Sequence, residues 1–78
     1  MAELATTQMK GFLEDAELVL IEAIDHYESE GLALRDARKR AYDDFVSGDG
    51  FEITAESYGL AKDAARAALD AQVKGWLT

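Results

Sequence analysis

Seven acids and no Lys or Arg lie between Glu14 and Glu30. Carboxylates in such number can hold a cation, move a proton or meet a basic partner, and their spacing decides among these. At 100° per residue on a helix, Glu14, Glu17, Leu18, Ile21, Asp25 and Glu28 fall within roughly 100° of one another, with Glu22 at the margin. This spreads the charges along a ridge instead of gathering them at a point. It also sets two large aliphatics, Leu18 and Ile21, among them. An apolar anchor with an acidic rim is the pattern of a contact face for a protein with a basic surface.

The other reactive side chains form weaker constellations. His26 is the only His; Glu22 and Glu30 stand at i−4 and i+4, but one His beside solvated carboxylates is a sparse ligand set, and no metal is expected. The stretch Ser47-Gly48-Asp49-Gly50 superficially suggests a calcium loop. With Gly50 as the invariant Gly, loop position one is Phe45 and position three is Ser47, although Glu56 does fall at position twelve. A loop that starts on Phe does not hold calcium. Arg35, Arg38, Lys39 and Arg40 make up half of all Lys and Arg. Asp36, Asp43 and Asp44 lie three or four residues from these bases, so the expectation is a salt-bridged helix surface, or a dock for the acidic first helix of the same or another copy. There is no Cys nucleophile, no Gly-rich phosphate cradle and no nucleophile elbow. The chain is therefore expected to be non-enzymatic and to need no cofactor.

Helices must position these groups. Met9, Phe12, Leu13, Ala16, Leu20, Ala23, Ile24 and Tyr27 recur at three and four residues and predict an amphipathic helix over 5–30, stopped by Gly31. Leu34, Ala37, Ala41 and Phe45, with Tyr42 at the edge, predict a second over 33–47. The two glycines and Asp49 predict a turn. Phe51, Glu52 and Ile53 read as an extended hook that anchors this loop in the core. Thr54 reads as the N-cap of a third helix over 55–77, with Glu56 favouring its dipole. Ala61, Ala64, Ala65, Ala67, Ala68 and Ala71 give that helix a broad arc of small side chains. Tyr58, Leu69, Val73 and Trp76 form one larger flank, and Leu60 continues the other. The arc marks either the central helix of the bundle or a dimer interface on Leu60, Ala64, Ala67, Ala68, Ala71 and Trp76.

Composition bounds the rest. Sixteen Asp and Glu against eight Lys and Arg, for a net charge of −8, argue against a broad nucleic-acid-binding surface. No apolar run approaches the roughly 20 residues of a membrane span, and no basic-then-apolar leader is evident over residues 1–10. A chain of 78 residues allows one domain with a stability of a few kcal/mol, which self-association would raise. The expectation is an all-α, three-helix bundle, homodimeric and cytoplasmic, acting by stoichiometric protein–protein binding. A regular row of carboxylates also imitates a phosphate backbone. By analogy of charge alone, a more specific expectation is a phage-type inhibitor occupying the nucleic-acid-binding surface of a host or defence protein. The alternative is a structural or assembly subunit that uses the Ala-rich helix.

Overall fold

The computed structural model describes residues 2–77, and the side chains of 7–76. It is all-helical over these residues, with four helices and not three: α1 (Ala2–Ser29), α2 (Leu34–Ser47), α3 (Asp49–Ser57) and α4 (Lys62–Leu77). No helix among them is long and apolar enough to cross a membrane.

The expected third helix is two. Residues 51–53 do not form an extended hook, because Phe51 and Ile53 do not share an environment. Phe51 is buried while Ile53 is 60% exposed. The buried positions Phe51 and Ala55 and the half-buried Tyr58 follow a four-then-three spacing, which is helical. Asp49 and Glu52 add negative charge to the first turn of α3. Thr54 is consequently inside the helix, and its hydroxyl donates to the Gly50 carbonyl at 2.7 Å instead of capping. The turn expected over 47–50 shrinks to Gly48 alone, between α2 and α3.

Two glycines stop helices in one way. Gly31 has φ +102° and Gly59 has φ +69°, the region where a side chain is strained. After α1, the Leu32 N–H donates to the Tyr27 carbonyl at 3.1 Å and the Gly31 N–H to that of Glu28 at 3.0 Å. After α3, Leu60 donates to Ala55 at 3.0 Å and Gly59 to Glu56 at 2.9 Å. Both are Schellman caps, which satisfy carbonyls the helix leaves open.

The core is where the four helices meet. Phe51 packs edge-on against Phe12 of α1 and Phe45 of α2, at centroid distances of 5.9 and 6.0 Å. Fully buried Ala16, Ala37, Ala41, Ala55 and Ala65 let the backbones approach. Leu20 of α1 and Leu69 and Val73 of α4 are fully buried in the same cluster. Gly11 gives the Tyr58 ring its place, since a Cβ there would lie 2.7 Å from Cε1 of that ring. The arc of alanines in the third predicted helix is not the core. Only Ala65 of it is buried, and α4 packs through the Leu69, Val73 and Trp76 flank. α4 is therefore not the central helix. α1 and α2 form the most extensive helix pair, and α1, about 42 Å long at 1.5 Å per residue, nearly spans the 45 Å long axis.

Candidate protein-binding face

The acidic ridge lies on the outside of α1. Glu14, Glu22, Asp25 and Glu28 are exposed and Glu17 is half-buried. Leu18 is 62% exposed and Ile21 42%. The core face of α1 is filled by Phe12, Ala16, Leu20 and Ile24, and these two aliphatics lie outside it.

Open clefts adjoin the ridge. One of about 530 Å³ lies between α1 and α4, lined by Met9 and Leu13, by Lys10, Glu14 and Glu17 at its rim, and by Gln72 of α4. Glu14 and Glu17 face a second, of about 270 Å³, on their other side, together with Leu18 and Ile21. A third, also about 270 Å³, lies further along α1 and joins Ile21 to Leu34 and Trp76, with Asp25, Glu28 and Arg38 around them. Leu34 was expected in the core stripe of α2 but is 43% exposed; at the first position of that helix it lies beyond the packed turns. Sequence reasoning missed Leu34, Met9 and Leu13 as lining residues. Periodicity places a residue on a face but does not show where the opposing helix ends.

Arg40 of the basic cluster, with the neighbouring Asp44, is tied to α1. The Tyr27 hydroxyl donates to Asp44 Oδ2, and the Arg40 guanidinium carbon lies 5.7 Å from the Tyr27 ring centroid. The hydrogen bond to Asp44, aided by partial desolvation and the Asp44 charge, holds the Tyr27 phenol above its ordinary pKa, and Arg40 opposes this. A matching pair joins α3 to α1. The Tyr58 hydroxyl donates to Asp15 Oδ2, and that bond, with desolvation and the charges of Asp15 and Glu14, raises the Tyr58 phenol. Arg66 connects α4 to α2, with Nε donating to the Tyr42 hydroxyl at 3.0 Å and to Asp70 Oδ1 at 3.2 Å.

The remaining candidates are surface features. His26 Nε2 lies 3.0 Å from Glu30 Oε1. Among the described residues, no three His, Cys, Asp or Glu side chains converge as metal ligands. Ala64, Ala67 and Ala71 are exposed, whereas Ala68, Leu60 and Trp76 are half-buried. The two proposed interfaces thus meet at Trp76, which packs on the core and lines the cleft with Ile21. No family model, curated protein or solved structure matches this chain.

Proposed function

We propose that the protein is a small acidic binding module that acts stoichiometrically, without catalysis, on a protein partner with a basic surface. The contact face is Glu14, Glu17, Leu18, Ile21, Glu22, Asp25 and Glu28. The observation that carries this reading is the exposure of Leu18 and Ile21 within a carboxylate ridge. Burying both would remove a water-exposed apolar pair, and the rim would select a cationic surface. The test is affinity capture from a host lysate with the wild-type chain and with Leu18→Lys/Ile21→Lys, after circular dichroism shows the variant is still helical. A partner lost with the variant supports the face; one retained equally removes it. In the more specific form, a phage-type inhibitor, the acids occupy a nucleic-acid-binding surface of the target. There, charge reversal at Glu14, Glu17 and Asp25 must abolish competition with nucleic acid.

A second reading rests on the open, uncharged side of α4, where Ala64, Ala67 and Ala71 are exposed. Here the protein is an assembly subunit or homodimer joined through that helix. Ala64→Glu or Ala68→Glu would then dissociate the assembly in sedimentation, and changes on the α1 ridge would be silent.

A further inference from the structure

The face proposed above has a shape as well as a charge. Its clefts follow α1 from Met9 to Glu28, a path of about 28 Å at 1.5 Å per residue. Two of them have apolar floors, Met9 with Leu13 and Ile21 with Leu34 and Trp76. Their midpoints are separated by roughly 11 residues of α1, or about 17 Å. A partner helix returns to the same face after 11 residues, so it presents two anchors at that separation. No strand occurs among the described residues, and helices offer no free row of backbone donors and acceptors. Strand addition therefore has no edge to pair with, whereas a helix satisfies its own backbone and lays an apolar stripe into a groove. The charge is net acidic: α1 carries seven acids and one base, Lys10, which lines the first cleft, while Arg38 of α2 lines the second. Carboxylates stand at the rim of both floors, Glu14 and Glu17 at the first, Asp25 and Glu28 at the second. A second copy brings a net charge of −8 to this rim, and its four α2 bases share their helix with Asp36, Asp43 and Asp44, whereas a cationic helix complements the rim without added acids.

We infer that the α1 clefts are a groove for a basic amphipathic helix from a partner protein, held by two apolar anchors about 11 residues apart and by Lys or Arg on its flanks. This rests on the binding face proposed above and names its occupant.

Trp76, the only Trp, lines the second floor and reports occupancy by its own fluorescence. The probe is a synthetic helix of about 18 residues, long enough for the groove, with leucines on one face, lysines elsewhere and no Trp. Two controls carry the same leucines with glutamates, and the same composition scrambled to destroy the face. The expected result is one-to-one binding of the Lys helix, seen by calorimetry and a blue shift of Trp76 emission, and weakened by salt. It should be at least tenfold tighter than either control. Glu14→Lys/Glu17→Lys and Leu18→Lys/Ile21→Lys, each shown to be helical, should each weaken it at least tenfold. No binding of the Lys helix, or equal binding of a control, overturns the inference. So does self-association that Leu18→Lys/Ile21→Lys abolishes, because a second copy then covers the groove. A captured partner that depends on Leu18 and Ile21 but is not displaced by the Lys helix also overturns it, while leaving the binding face intact. Capture insensitive to those two residues defeats the face itself.

Discussion

At the scale of single residues, two glycines of like helical context have opposite roles. Replacing Gly by Ala inside a helix ordinarily stabilises by up to about 1 kcal/mol. At Gly75 a Cβ meets nothing within 4 Å, so Gly75→Ala should stabilise by up to about that amount and raise the thermal midpoint by a few degrees. At Gly11 the Cβ would press on the Tyr58 ring, which its hydroxyl fixes to Asp15. Overpacking of this kind costs about 1–3 kcal/mol, so Gly11→Ala should destabilise despite its better propensity. Differential scanning calorimetry of the pair checks both signs. The tyrosine–carboxylate bonds add a pH dependence. The raised pKa of Tyr58 and Tyr27 means that the folded state favours the neutral phenol. The contribution is complete below the ordinary value of 10.0 and is lost as pH rises through the folded-state value. Stability measured from pH 8 upward should therefore fall beyond about pH 10, and less so in Tyr58→Phe. None of this was legible in the sequence. Asp15 and Tyr58 are far apart along the chain, and only the folded arrangement brings them together.

At the scale of elements, the two long amphipathic stretches were legible because several turns repeated one period. Phe12, Ala16, Leu20 and Ile24 in α1, and Ala37, Ala41 and Phe45 in α2, are all buried. The end of α1 was equally clear, since Gly31 has the backbone that only glycine accepts without strain. The helix α3 was not legible. Its nine residues repeat the period barely twice, and the Gly-Asp-Gly preceding Phe51 reads locally as a turn. Thr54 misled for a related reason, because the same hydroxyl caps a helix or bonds back within one. This makes Thr54→Ala diagnostic. An N-cap loses typically ~1 kcal/mol on such a change, whereas the bond to Gly50 inside α3 predicts a shift within about 0.5 kcal/mol in chemical denaturation. Gly59→Ala should cost about 1–2 kcal/mol in the same experiment, because the left-handed backbone that ends α3 then carries a Cβ.

At the scale of the whole molecule, α1 is both spine and charge carrier. The accessible surface of 5187 Å² is about a tenth above the roughly 4,650 Å² expected for a compact monomer of this mass. The excess accords with an elongated form of 45 × 23 × 17 Å and with apolar groups left outside. The candidate face was legible to the extent that a ridge lies on one helix. Its clefts were not, because they arise where α4 and the start of α2 fall short of covering α1. So small a fold has little stability to spare. Phe51 joins three helices through its two aromatic contacts, and Phe51→Ala should cost about 3–5 kcal/mol, enough to abolish the cooperative melt seen by circular dichroism. The junction before Phe51 has a further consequence, for the identity of the chain that supplies each helix. Only Gly48 separates α2 from α3, in an extended conformation, and a Cβ there would lie 3.0 Å from the Asp44 carbonyl oxygen. An alanine at that position is crowded in the bend and favoured in a helix, so it promotes one straight rod from Leu34 to Ser57. Such a rod carries α3 and α4 away from their own α1 and offers them to that of a neighbour. The contacts of α3 and α4 with α1 and α2 then re-form between two chains while those of α1 with α2 stay within each, so Gly48→Ala should shift the protein toward an exchanged dimer, read as a larger species in size-exclusion chromatography.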